Sequence, residues 1–300
     1  MSADRPRVAL VVVTYNSRDL IDGFLQALPA AVEDLDVELV AVDNASGDGS
    51  ADAVHAAAPD ATVVRLGANR GYAAGLNAGI RAAADPDAVL VLNPDIRLGP
   101  GSVRRLLTAA GEPGAGIAVP RMTDPSGALV PSLRRDPSVR RALGEALLGG
   151  RRAGRFEGWG EMVTDPSAYI HPVRADWAVG AAMLVTRDCL DAVGAWDESL
   201  FLYSEETDYC IRARENGFDV RYEPGAEAVH IGGDAHVSPR LWALLTVNRV
   251  RLYRRRHGPV RSLAFRVAVM INEALRALAG RQVSRAALAA LVTPGWEMPP

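Results

Sequence analysis

Val89-Leu90-Val91-Leu92-Asn93-Pro94-Asp95-Ile96-Arg97 is the stretch on which the reading of this 300-residue chain turns. Residues 89 to 92 are apolar without polar alternation, which predicts a strand buried on both faces. Pro94 cannot donate to a ladder, so the strand stops there. Asp95 follows at once. In an open α/β sheet, ligands sit outside the carboxyl ends of the strands. Asp95 therefore stands where a carboxylate can hold a divalent cation against a phosphate. Asn-Pro-Asp is also a good turn sequence, and alone it says no more than that. The stretches on either side decide the matter.

Upstream, Val8 to Val13 is a second unbroken apolar run, ending in Thr14-Tyr15-Asn16-Ser17. Ser17 is placed to cap a helix through Leu28. Val37 to Val42 is another strand, closed by the polar loop Asp43-Asn44-Ala45-Ser46-Gly47-Asp48-Gly49-Ser50. A helix to about Ala58, a strand from Ala61 to Leu66 and a turn at 67–71 follow. The next helix, Tyr72 to Ala84, carries Asn77 inside it, where Asn is a poor helix former. Beyond the opening stretch, Pro100 starts a helix to about Ala110 at a position where its missing N–H costs little. This alternation predicts an α/β fold with a mainly parallel central sheet and helices on both faces. Each strand–helix junction then lies on one edge, so Thr14, Asp43, Asn69 and Asp95 should converge there.

From Ile117 the pattern weakens. Ala118-Val119-Pro120 and Ala128-Leu129-Val130 read as short strands. Arg134 to Tyr169 is rich in Arg, Gly and Pro, with one helix near Val139 to Leu148. It reads as a flexible excursion that orders over substrate. Arg174 to Val185 is strand-like, with Gly180 where the backbone must pass close to something. Arg187 to Val193 is a short helix. Ser204 is placed to cap a helix through about Asn216, ended by Gly217, and acids in its first turn suit the macrodipole. Phe218 to Tyr222 and Ala226 to His230 finish as strands, followed by Ile231-Gly232-Gly233-Asp234. After Pro239 come basic amphipathic helices: one with Arg249, Arg251 and Arg254 to Arg256, then Val260 to Ala279, then Ser284 to Leu291. The expected organisation is an α/β domain over 1–237 and a basic helical extension over 238–300.

The composition is 49% hydrophobic and 23% charged, enough for a substantial core and unlike a disordered chain. The net charge of -3 hides an asymmetry, because eleven Arg from Arg240 onward face only Glu273 and Glu297. The chain has no Lys, which suggests a GC-rich genome. Cys189 and Cys210 form neither a metal cluster nor a disulfide framework, and point to a reduced, cytoplasmic setting. With no apolar leader at the start and no run long enough to span a bilayer, the expectation is a cytoplasmic protein, at most peripheral on the inner face of the plasma membrane. The basic helices can lie on anionic lipid or pair in a homodimer. No recognition motif accompanies the Arg-rich tail, so no nucleic-acid partner is expected. A nicotinamide dehydrogenase would carry Gly-x-Gly-x-x-Gly after its first strand, where this chain has Thr14-Tyr15-Asn16-Ser17.

Taken together, these motifs resemble those of the family 2 glycosyltransferases of GT-A fold, in the rhamnosyltransferase-like branch, from Arg7 to about Gly233. The resemblance implies that Thr14, Tyr15 and Asn16 meet the nucleotide base and that Asp43 contacts base or ribose. It lays Asn69, Arg70, Gly71 and Asn77 along the nucleoside and diphosphate. It sets Asn93 and Asp95 where relatives carry a metal-binding DxD-type motif. Asp176, Trp177, Gly180 and Ala181 would border the donor sugar and acceptor, and His230 would lie near the metal or diphosphate. Relatives usually read Glu-Asp-x-Asp where this chain reads Glu205-Glu206-Thr207-Asp208. The implied base is therefore Glu206, with Glu205 beside it. The implied reaction is an inverting transfer assisted by Mg²⁺ or Mn²⁺ on Asp95 and His230. The resemblance favours dTDP-L-rhamnose as donor, with UDP-sugars next, and a glycan or polyprenyl-diphosphate-linked sugar as acceptor. A catalytically silent nucleotide-sugar-binding protein is the alternative.

Overall fold

The structure, a computed structural model, describes residues 6–33, 35–232, 238–293 and 295–296. In chain order the first half runs β1 (Arg7–Thr14), α1 (Arg18–Val32), β2 (Asp36–Asp43), α2 (Ser50–Ala57), β3 (Thr62–Arg65), α3 (Tyr72–Ala82), β4 (Ala88–Leu92), β5 (Ile96–Leu98), α4 (Ser102–Ala110) and β6 (Ala115–Thr123). Then follow β7 (Leu133–Arg134), α5 (Val139–Leu148), α6 (Gly150–Ala153), β8 (Val173–Ala175), β9 (Trp177–Ala178), β10 (Ala182–Thr186), α7 (Arg187–Val193), α8 (Glu205–Glu215) and β11 (Asp219–His230). The chain ends in α9 (Pro239–Arg256), α10 (Pro259–Leu278) and α11 (Gln282–Val292). It divides into two compact units. One comprises Met1–Ser132, Tyr169–Phe201 and Glu205–Ile231, the other Leu133–Ala168, Leu202–Ser204 and Gly232–Pro300.

The first unit is built on a nine-stranded sheet in the order β3-β2-β1-β4-β10-β6-β11-β5, with β8 also on β11. β3, β2, β1 and β4 run parallel, so Thr14 pairs with Asp43 at their shared carboxyl edge. Every residue of β4 is buried, as an unbroken apolar run predicts for a strand covered on both faces. Phe24, Leu28 and Leu106 of the flanking helices pack against Leu10, Leu90 and Leu92 of the sheet. β10 is antiparallel to both β4 and β6, and β11 returns parallel to β6.

Several elements differ from the sequence reading. Ile96–Leu98 is a strand, pairing Ile96 with His230 and Leu98 with Ala228, although Pro94 hides it from local pattern. The two strands read at 218–230 are one, with a register shift between Glu223 and Glu227. Leu129 makes only an isolated bridge to Thr123 rather than a strand. Ser17 precedes α1 but does not cap it: its hydroxyl exchanges hydrogen bonds with the backbone of Tyr15.

In the second unit, Ala142, Val247, Phe265, Val269 and Leu291 make a core shared by α5, α9, α10 and α11. Arg249 bonds Glu145 at 2.9 Å and Glu161 at 2.6 Å. Arg135 donates to the carbonyls of Gly160 at 2.9 Å and Gly154 at 3.3 Å. The stretch read as a flexible excursion is therefore tied into this unit by side chains distant in sequence, which local composition cannot reveal. Asn248 is fully buried and donates to the carbonyls of Leu202 and Tyr203. Gly233, Asp234 and the expected boundary at 237/238 lie outside or at the margin of the described residues.

Candidate active site

The parallel strands deliver their last residues to one edge. Thr14 and Asp43 are both buried, with Thr14 Oγ1 donating to Asp43 Oδ1 at 3.3 Å. Asp43 Oδ2 accepts the Ser46 N–H at 3.1 Å, which folds the polar loop back over the strand end. Asn16, at φ 51°, locks onto the same loop by donating its N–H to Ser46 Oγ and accepting the Gly47 N–H. Tyr15, between them, is exposed. An exposed ring next in the chain to a buried polar strand end offers a surface on which a flat base can stack.

The adjoining segment is held by Asn44, a buried residue to which the sequence reading assigned no role. Asn44 Nδ2 donates to Asn69 Oδ1 at 2.8 Å and to the Gly71 carbonyl at 3.1 Å, while its Oδ1 accepts the Arg70 N–H. Gly71 has φ +88°, and a Cβ there would come within 2.2 Å of the Phe201 carbonyl oxygen. That carbonyl accepts the Tyr72 N–H at 2.6 Å. Arg70 pairs with Glu198 at 3.1 Å. Asn77, expected along the nucleotide, is buried, with its amide engaging the Trp196 backbone and Glu198. The polar residue inside α3 thus anchors the segment leading toward Glu205.

Asp95 lies at the turn after β4. Arg97 donates to the carbonyls of Pro94 and Ile96 and to Leu20 of α1, fixing that turn. Asn93 donates its N–H to the Ala181 carbonyl at 2.9 Å. His230 Nε2 stands 3.0 Å from Asp95 Oδ2, the two side chains being 17% and 16% exposed. The pairing of β5 with β11 brings them together. Asp95 Oδ1 is buried and accepts no hydrogen bond from the described residues. A buried carboxylate oxygen in that state is costly and suits a cation or a donor supplied by a ligand. No cluster of three or more His, Cys, Asp or Glu side chains able to hold a metal occurs among the described residues. A site of one or two protein ligands fits Mg²⁺-type coordination, where water and phosphate oxygens complete the shell.

Tyr72 lies within the electrostatic reach of three acidic groups. Burial, then the charges of Glu205, Glu206 and Asp95, push its phenol well above the usual tyrosine range. Its hydroxyl is 3.5 Å from the Gly180 carbonyl. A Cβ on Gly180 would stand 3.0 Å from Glu206 Cβ. Gly180 thus stands against both the Tyr72 hydroxyl and Glu206, and Tyr72 is a residue to which sequence reasoning gave no site role. Glu205 is 3% exposed, whereas Glu206 is half-buried and the more accessible of the two. Asp208 is bound by Arg212 at 2.7 Å, and that guanidinium also spans the carbonyls of Val193 and Ala195. Just before α8, Phe201, Tyr203 and Ser204 all have positive φ, a strained conformation for residues with a Cβ. Ala181 is buried beside Asn93. Trp177 is 7% exposed, which leaves little of its indole to stack on a sugar, and Asp176 is half-buried.

Comparison with known proteins agrees with this geometry. Residues 9–167 match the family model described as glycosyl transferase family 2. The chain is 35% identical over 234 residues to the N-acetylglucosaminyl-diphospho-decaprenol L-rhamnosyltransferase of Mycobacterium tuberculosis, covering 74% of this chain and 75% of that protein. It is 26% identical over 231 residues to the low-salt glycan biosynthesis hexosyltransferase Agl10 of Haloferax volcanii, covering 74% and 66%. Among solved structures, mannosyltransferase PcManGT from Pyrobaculum calidifontis, in complex with GDP-Man and Mn²⁺, superposes with a TM-score of 0.57 at 20% identity, covering 96% of this chain and 79% of that one. S. aureus TarS 1-349 in complex with UDP gives 0.52 at 16% identity, covering 88% and 70%. These two likenesses concern the fold. The chain belongs to glycosyl transferase family 2, in its rhamnosyltransferase-like branch, and is a glycosyltransferase of GT-A fold.

Proposed function

We propose that this enzyme moves L-rhamnose from dTDP-L-rhamnose, with inversion at the anomeric carbon, to a hydroxyl of a polyprenyl-diphosphate-linked sugar in surface polysaccharide assembly. The observation that carries the reading is the buried Asp95 Oδ1, which accepts no hydrogen bond from the described residues while Oδ2 meets His230 at 3.0 Å, in the sheet whose parallel strands present Thr14 and Asp43 at one edge. Thr14, Tyr15, Asn16 and Asp43 bind the nucleoside, and the Asn69–Gly71 segment follows the diphosphate. Asp95 and His230 would hold Mg²⁺ or Mn²⁺, which when bound offsets the charge gained by the departing diphosphate. Glu206 takes the proton of the acceptor hydroxyl. The acceptor oxygen forms its bond to the anomeric carbon as the bond to the diphosphate breaks, and the electron pair leaves with the diphosphate. Half-burial suits Glu206 to this task better than Glu205, which is enclosed. The lipid-linked acceptor is taken from the decaprenol-linked substrate in the name of the mycobacterial relative. It would bring the enzyme to a bilayer as a peripheral protein.

A thermal-shift panel of dTDP-rhamnose, UDP-GlcNAc and GDP-mannose, each with and without Mn²⁺ or Mg²⁺, tests the donor. A ligand that binds only the native state raises stability by RT ln(1 + [L]/Kd). The largest shift is expected for dTDP-rhamnose with metal, accompanied by transfer to polyprenyl-diphosphate-GlcNAc. A larger shift for a UDP-sugar overturns the donor. A shift without transfer to any acceptor points to a silent nucleotide-sugar-binding protein.

A further inference from the structure

The second unit carries an uncovered apolar seam. Of the fifteen large hydrophobic side chains exposed among the described residues, twelve belong to this unit. Six of them lie along α10: Val260, Leu263, Val267, Ile271, Leu275 and Leu278. At 100° per residue they fall within an arc of about 120°, and at 1.5 Å rise they extend about 27 Å. The ends are the most open, Val260 at 81% and Leu278 at 85% exposure. The opposite face of α10, with Phe265, Val269 and Glu273, is buried in the unit. Leu147 of α5, the helix packed against α10, adds a further exposed apolar side chain.

Charge identifies the occupant. Exposed Arg261 and Arg266 flank the seam on its two sides, and the stretches forming this unit contain eighteen Arg against eight acidic residues. A second copy laid face to face would bring like charges together. An anionic lipid surface neutralises them and accepts the apolar residues between them. No helix among the described residues is long and apolar enough to cross a membrane, so on a bilayer α10 would bury this face by lying in the surface plane. We propose that the exposed face of α10 is a membrane-docking surface that lies in the headgroup layer of an anionic bilayer. This deepens the reading of a lipid-linked acceptor and rests on it for its purpose, though not for its test.

The test is co-sedimentation of the full chain, without donor or acceptor, with vesicles of phosphatidylcholine alone or mixed with phosphatidylglycerol. Binding to the mixed vesicles is expected, and the double variant Leu263→Glu with Ile271→Glu should lower the bound fraction at least about tenfold. A second readout guards against misfolding. Cys189 and Cys210 are buried, so Leu275→Cys can be labelled with an environment-sensitive dye, whose emission should shift to the blue on mixed vesicles. Unchanged binding of the double variant, or an unshifted dye, overturns the proposal. So does a concentration-dependent dimer that the double variant dissociates in the absence of lipid binding. The donor thermal shift should survive in the double variant. Lipid binding without rhamnosyl transfer would sink only the proposed function, and transfer to a soluble acceptor without lipid binding only the docking surface.

Discussion

Glu145 and Glu161 in the second unit both reach Arg249, whereas Asp95 in the first meets the imidazole of His230 and keeps Oδ1 without a hydrogen bond from the described residues. The first arrangement supplies its own cation. Burial works against the Arg249 cation, but two adjacent carboxylates outweigh it and hold the guanidinium proton more firmly than usual. At the sheet edge, the charges of Glu205, Glu206 and Asp95 instead bear on the buried phenol of Tyr72 and push it above the usual tyrosine range. A cluster that only stabilises a fold provides its own counter-ion. A buried carboxylate oxygen without a hydrogen bond from the described residues, as Asp95 Oδ1 is, marks a site for an outside partner.

The contrast can be broken at several points. The greatest loss is expected for Glu206→Gln, which keeps the shape and removes the proposed base. Turnover should fall by roughly 10²–10⁴-fold, with the nucleotide thermal shift retained; unchanged turnover would remove Glu206 from the role. Arg249→Ala strands two buried carboxylates and should lower stability by about 3–5 kcal/mol, read as a fall in Tm. Replacing all three members of that cluster with apolar residues should recover most of the loss, since the cluster has no ligand to serve. Asp95→Asn should cost roughly 10²–10³ in kcat, and should abolish any metal dependence of the nucleotide shift while leaving Tm of the unliganded protein near the native value. Gly71→Ala meets both the positive φ and the Phe201 carbonyl; about 1–3 kcal/mol of strain is expected, visible in denaturant unfolding.

The smallest effect concerns pH. Burial comes first in raising the Glu161 carboxyl; Arg249 opposes it and Glu145 adds to it, leaving the group above its ordinary range. The native state then holds a proton that the unfolded state has released, so stability is full below the ordinary glutamate range and is lost as pH rises through the native value. In Glu161→Gln that slope should disappear from a Tm-against-pH profile. A profile equally steep in both proteins would contradict the assignment to Glu161.

The sheet edge was legible because its signals are local. Unbroken apolar runs ending in Thr14, Asp43 and Asp95 announce buried parallel strands and where they stop, and the structure brings Thr14 and Asp43 into contact. From its neighbours Asn77 was legible only as an oddity, and the family resemblance laid it along the nucleotide; its bonds to Trp196 and Glu198 reach residues more than a hundred positions away. Asn44 and Tyr72 sat inside motifs that drew notice, yet nothing in their immediate sequence distinguishes a residue that organises a loop from one that fills it. The Arg-rich stretch after Arg134 looked like an excursion because arginine and glycine without periodicity carry no local instruction. Its order comes from Arg135 reaching carbonyls in its own loop and from Arg249 on a helix that follows much later.

By itself the amino-acid sequence determined which segments become buried strands, which polar residues close them and that the stretch after Pro239 is basic and amphipathic, since each follows from side-chain period and composition over a few residues. Only the tertiary structure decided that Ile96–Leu98 pairs with the end of β11 and so sets His230 against Asp95, and that one face of α10 stays uncovered while the other is packed. Both outcomes depend on which distant surfaces meet. That is settled by the competition among long-range contacts for burial, to which no short stretch of chain has access.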